Sequence, residues 1–90
     1  MRIEDFDWEV LYKKADNFMK SIKAKEYNVA TNEQTLFRNK PIVMVCFPKR
    51  INAVAIMMLD KNSACTKLKG YKENGILYCR YSISVEQLNC

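Results

Sequence analysis

Apolar residues enter this chain at helical spacing and leave it at strand spacing. Trp8, Leu11, Ala15, Phe18, Met19 and Ile22 recur at steps of three and four. That spacing places them on one side of a 3.6-residue repeat and predicts an N-terminal amphipathic helix. Asp5 or Asp7 stands where a carboxylate caps the first turn, and Lys20, Lys23 and Lys25 crowd the end where cations complement the helix dipole. Val10 lies off the stripe. Residues 26–40 are polar, with Val29, Leu36 and Phe37 as anchors, and read as a connection with room for a short edge strand. From Pro41 the period changes. Ile42–Phe47 is rich in β-branched residues, and Ala53–Leu59 is apolar on both faces, as a central strand would be. Pro48–Asn52 and Asp60–Ser63 are the expected turns.

The last hairpin carries the strongest local signal. Asn74-Gly75 suits a type I′ turn, whose two central residues both need positive φ. A two-residue turn there pairs Tyr71 with Tyr78, Lys69 with Arg80 and Lys67 with Ser82. Leu68, Leu77, Cys79, Tyr81, Ile83 and Val85, with Ala64 and Thr66, then share the opposite face. A four-residue loop would slide the pairing without exchanging the faces. Ser84-Val85-Glu86-Gln87 reads as a capping-box start to one helical turn. The expected architecture is a single α+β domain over residues 1–90, with one N-terminal amphipathic helix packed on a four-stranded, mostly antiparallel sheet. One helix covers four strands poorly, and Ala53–Leu59 reads as buried on both faces. A second layer from a partner copy, hence a homodimer, is the economical expectation.

Composition narrows the class. Ninety residues make one small domain, and 49% hydrophobic with 28% charged residues is a globular balance. The net charge is +5, but Glu4, Asp5, Asp7 and Glu9 all lie in the first nine residues beside Arg2. The remainder holds fourteen bases against six acids, a balance of +8. Such a field favours a polyanion, an acidic protein or an anionic membrane surface, and it serves solubility equally well. The longest apolar stretch, Ile42–Leu59, is broken by Pro48-Lys49-Arg50 and by Asn52, so no membrane anchor is expected. Cys46, Cys65, Cys79 and Cys90 contain no C-x-x-C pair, and the acidic opening MRIEDFDWEV is unlike a secretory signal. Reduced thiols in a cytoplasmic protein are the expectation, with no metal.

The chain has no histidine, which removes the usual general acid–base pair and every Ser-His or Cys-His nucleophile. Its only glycines, Gly70 and Gly75, form no phosphate-binding loop, so no cofactor is implied. A histidine-free ribonuclease could draw on Lys67, Lys69, Tyr71, Glu73, Tyr78 and Arg80, but a binding face uses the same inventory. Lys67, Lys69, Tyr71, Tyr78 and Arg80 set cations beside phenol rings on one expected face. Lysine and arginine take phosphates while tyrosine stacks bases, the combination that suits single-stranded RNA. Lys49, Arg50, Arg38 and Lys40 would extend that patch. Lysines on an edge hairpin also prevent strand-to-strand aggregation, and tyrosine pairs also stabilise sheets. The methionines at 44, 57 and 58 read as core filler.

Two resemblances bear on function. Leu68-Lys69-Gly70-Tyr71, followed by Leu77-Tyr78-Cys79-Arg80-Tyr81, is similar to the central strands of RelE-type ribonuclease toxins, which implies mRNA cleavage. The whole chain, short, basic, histidine-free and rich in Lys, Asn and Ile, resembles early accessory proteins of T-even phages. Among these are TifA-like RNA-binding inhibitors of host toxin–antitoxin ribonucleases. That resemblance implies RNA and a host toxin protein as partners, with no catalysis. The leading expectation is therefore a non-enzymatic RNA-binding antagonist of a nucleic-acid-handling partner. A protein–protein inhibitor docking an acidic surface without RNA and a RelE-like ribonuclease are the alternatives.

Overall fold

A computed structural model describes residues 2–88. The helix α1 spans Trp8–Ser21 and is capped by Asp7, whose Oδ1 accepts the Val10 N–H at 3.5 Å. Asp5 instead accepts the Arg2 N–H at 2.9 Å within a 3-10 turn over Ile3–Asp5. Trp8, Leu11, Tyr12, Ala15 and Met19 are the buried side of α1, while Val10 is 59% exposed. Beyond Ile22 the chain turns through Lys23 at a left-handed φ of 60°, which lets the Ala24 N–H reach back to the Met19 carbonyl at 3.0 Å.

Two short strands, β1 (Asn28–Val29) and β2 (Thr35–Phe37), lie along one edge of β3 (Lys40–Pro48). The other edge of β3 pairs with β5 (Ile76–Ser84), and β4 (Cys65–Glu73) forms the outer edge beyond it. Every pairing is antiparallel, so the sheet is four strands wide with one edge shared by two pieces, five strands in all. Strand alternation separates the faces. Val43, Val45 and Phe47 on β3 stand opposite Ile83, Tyr81 and Cys79 on β5, and all six are buried under the helices. Ile42, Met44, Cys46 and Pro48, opposite Ser84, Ser82, Arg80 and Tyr78, form the other face and are only half-buried.

Ala53–Leu59 is not a central strand. It belongs to a second helix, α2 (Ala53–Lys61), which buries Ala55 and Leu59, four residues apart, and exposes Val54, Met57 and Met58. A uniformly apolar run hides that periodicity, and alanine, methionine and leucine all favour helix. Both edges of β3 are already taken by β1/β2 and β5, so this segment cannot pair with β3. α2 lies over the same face as α1. It shares one apolar core with α1 and the inward-facing strand residues, and Asp60 Oδ1 accepts the Tyr81 hydroxyl at 2.6 Å. With a second helix over the sheet, the reason for expecting a layer from a partner copy disappears. Met57 and Met58, at 53% and 45% exposure, are not core filler either.

After β5 the chain makes a 3-10 turn over Val85–Gln87 whose Ser84 side chain caps nothing, so one turn forms without its capping box. The turn packs against α1 and β3, and Val85 and Leu88 are buried in the core. Among the described residues, no helix is long and apolar enough to cross a membrane. Cys46, Cys65 and Cys79 are free thiols, and Cys90 lies outside the described residues.

Candidate nucleic-acid interface

Asn74 and Gly75 have φ of 51° and 79°, the type I′ turn predicted from their sequence, and Tyr71 stands opposite Tyr78 as that turn requires. Beyond this pair the register slips. Leu68 faces Arg80 and Lys67 faces Tyr81, so three steps of β4 oppose two of β5. The extra residue is a β-bulge at Lys69-Gly70. The two backbones approach closely here, so the position needs glycine: a Cβ on Gly70 would run into the Tyr78 carbonyl oxygen. The bulge breaks up the expected face. Tyr71, Tyr78 and Arg80 remain on the open side of the sheet, but Lys67 turns to the side covered by the helices and Leu68 takes its place. Lys69 contributes its carbonyl, which accepts from Arg80 Nη1 at 3.5 Å. A glycine inside a strand is the signal that marked this bulge.

On the open face the Tyr71 and Tyr78 rings are stacked, with centroids 5.0 Å apart and planes 13° from parallel. Tyr71 is 41% exposed, and its hydroxyl donates to Cys46 Sγ at 3.8 Å. That hydrogen bond, together with partial burial, holds the phenol pKa above its ordinary value. Arg80 stands opposite Cys46. It lines a hollow of about 200 Å³ with Asn28, Met44, Cys46, Tyr71 and a single carboxylate, Glu33. Lys49 and Arg50 lie in the turn after β3, beside the hairpin tip, where they line a groove of about 660 Å³ with Ile76, Leu77 and Tyr78. Arg38 and Lys40 lie at the far end. The Arg38 guanidinium sits 5.1 Å from the Phe37 ring centroid, and Lys40 begins β3, six residues before the partner of Arg80. At ~3.3 Å per residue that is a separation of ~20 Å.

Compared with protein-family models, curated proteins and solved structures, the chain matches none of them.

Function therefore rests on local chemistry. Among the described residues, no cluster of acidic or cysteine side chains could hold a metal ion. The ion pairs among them are Arg2–Glu4 and Lys20–Asp16, neither on the hairpin nor in the β3–α2 turn. Two features were missed from sequence. The Lys49 N–H donates to the Leu77 carbonyl at 2.9 Å and continues the ladder, which sets Lys49, Leu77 and Lys72 in a row across three strands. This row, with Lys67 and Cys79, borders a hollow of about 410 Å³ that, among the described residues, no acid lines. The Asn74-Gly75 register already placed Lys72 opposite Leu77, so that signal was present in the sequence. The second feature is a groove of about 400 Å³ between the end of α1 and the start of α2. There Lys23, Lys25 and Arg50 surround Ile51 and Val54, again without an acid. The mixed apolar and basic character of that groove depends on α2 being a helix.

Proposed function

We propose that this protein binds single-stranded RNA on the open face of its sheet and acts without catalysis, as an antagonist of a nucleic-acid-handling partner. The observation that carries the reading is the stacked Tyr71–Tyr78 pair beside Arg80 on the half-buried face of the sheet opposite the helices. A base laid on the outer ring extends an existing stack, and each such contact is worth ~1–3 kcal/mol. Arg80 supplies a cation for the adjoining phosphate, and Lys40 and Arg38 lie within reach of a strand a few nucleotides longer. The Tyr71 hydroxyl already donates to Cys46 Sγ, which fixes the ring in place as a stacking platform. The resemblance of the whole chain to phage antagonists makes a toxin ribonuclease the first partner to test.

The test is fluorescence anisotropy with a labelled 12-nucleotide single-stranded RNA at 50 mM salt. Wild-type protein is expected to bind, and Tyr71→Ala or Tyr78→Ala to weaken binding roughly tenfold each. A flat curve for the wild type at this salt overturns the reading, because phosphate contacts are strongest there. A second reading, docking on an acidic protein surface, is favoured by the Lys23/Lys25/Arg50 groove, which Val54 lines, and by Met57 and Met58 exposed on the same helix. It predicts a stoichiometric protein complex that survives nuclease treatment.

A further inference from the structure

We infer that the lysine-lined hollow on the helix side of the β4–β5 hairpin carries the sugar–phosphate backbone of the bound RNA. The strand would thus wrap the outer edge of the sheet instead of lying flat on one face. The inference rests on the RNA reading above and deepens it by assigning bases and phosphates to opposite sides of one hairpin.

The bulge produces this division. It sends Lys67 to the side of Lys72 and Lys49 while leaving both tyrosines on the open side. Leu68, Gly70, Tyr71 and Tyr78 line the hollow together with the three lysines, so it lies directly against the strands that carry the tyrosines. β4 is the edge strand, so no further strand blocks passage around it. At Gly70 that edge carries no side chain. Lys67 and Lys72 are exposed, and among the described residues no acid lines the hollow to neutralise them. Three ammonium groups around a concave, acid-free surface suit successive phosphates, where each point charge displaces a condensed counterion. The apolar floor of Leu77 and Cys79 faces the riboses.

Salt dependence of RNA affinity tests this, because phosphate contacts set the slope of log K against log salt and stacking contacts do not. With the 12-nucleotide RNA between 50 and 300 mM KCl, Lys67→Gln and Lys72→Gln are each expected to reduce the slope by ~0.7, and together by ~1.4. Lys67→Arg should keep the wild-type slope. Tyr78→Ala should lower affinity at every salt concentration with the slope unchanged. Lys13→Gln, on the exposed side of α1, is the control and should change neither. Circular dichroism melts establish that each variant is folded. If Lys67→Gln and Lys72→Gln keep the wild-type slope while Tyr78→Ala binds weakly, the phosphate assignment is overturned and the RNA reading stands. Absence of binding by the wild type at 50 mM salt overturns both.

Discussion

The carboxamide of Asn52 holds the main chain of Lys25 by both ends. Its Oδ1 accepts the Lys25 N–H at 2.7 Å, and its Nδ2 donates to the Lys25 carbonyl at 2.9 Å. Nδ2 also donates to the Pro48 carbonyl at 2.8 Å. Asn52 is 2% exposed, and through it the loop after α1 is tied to the turn between β3 and α2. Asn52→Leu keeps the approximate volume but leaves an amide and two carbonyls without these partners. A loss of about 2–3 kcal/mol is expected in urea unfolding. A variant within 0.5 kcal/mol of wild type, on the order of an ordinary surface change, would show that water replaces the clamp at no cost.

Gly70→Ala tests the bulge. Its methyl group must push the Tyr78 backbone away or force β4 back into a regular ladder. Either route is expected to lower stability by about 1–3 kcal/mol, read from thermal unfolding. Regularising the ladder would return Lys69 and Lys67 to the tyrosine face. Amide exchange along β5 would detect this as altered protection around Cys79 and Arg80. Unchanged stability and unchanged exchange would contradict the close approach.

Phenylalanine variants separate stacking from proton transfer. Tyr71→Phe and Tyr78→Phe keep the rings and lose only the hydroxyls, so RNA affinity should stay within about twofold of wild type by anisotropy. A ribonuclease using either phenol would instead lose cleavage and any growth arrest on expression. Cleavage of the RNA by the wild type, abolished by these two changes, would replace the binding reading with the enzymatic one.

Tyr27 and Asp16 form a pair whose contribution depends on pH. The Tyr27 hydroxyl donates to Asp16 Oδ1 at 2.5 Å, and Lys20 Nζ lies 3.2 Å from Oδ2. The Tyr27 hydrogen bond, then that of Lys20, hold the Asp16 carboxyl below its usual value. Burial, then the Asp16 hydrogen bond, push Tyr27 up to about 12. A lowered carboxylate stabilises the fold above its unfolded pKa, and the gain is lost as pH falls through the folded value. A raised phenol stabilises below its unfolded pKa, and that gain is lost as pH rises through the folded value. The stability difference between wild type and Tyr27→Phe should therefore be level between about pH 5 and 9 and shrink on either side. Water screens this half-exposed pair, so the plateau should be only ~0.5–1 kcal/mol. A difference that does not vary with pH would mean that the charge on Asp16 plays no part.

Several elements were legible in the residues because their determinants are local. The α1 stripe from Trp8 to Ile22, an N-terminal cap at Asp5 or Asp7, the Asn74-Gly75 turn and the Tyr71–Tyr78 pairing each depend on neighbours within one turn of helix or one hairpin. The α+β class follows from them. Ala53–Leu59 was misread because an apolar run fits a buried strand and a buried helix alike. What decides between them is the packing of Ala55 and Leu59 into the core shared with α1 and the sheet, and that is a property of the whole fold.

The candidate site divides along the same line. The chemistry of the hairpin, lysines interleaved with tyrosines and an arginine, belongs to the amino-acid sequence, as does the positive balance behind residue 9. Which side each cation occupies does not. Strand alternation places Lys67, Lys69, Tyr71, Tyr78 and Arg80 on one face only if the ladder is regular. A single extra residue at Lys69-Gly70, where Gly70 packs closely on the Tyr78 backbone, reverses Lys67. Tertiary packing also set Lys72 and Lys49 beside Lys67, and left Arg38 and Lys40 at the opposite end of β3. Composition and local pairing are written in consecutive residues, whereas the facing of a side chain accumulates every irregularity between it and the turn that sets its register.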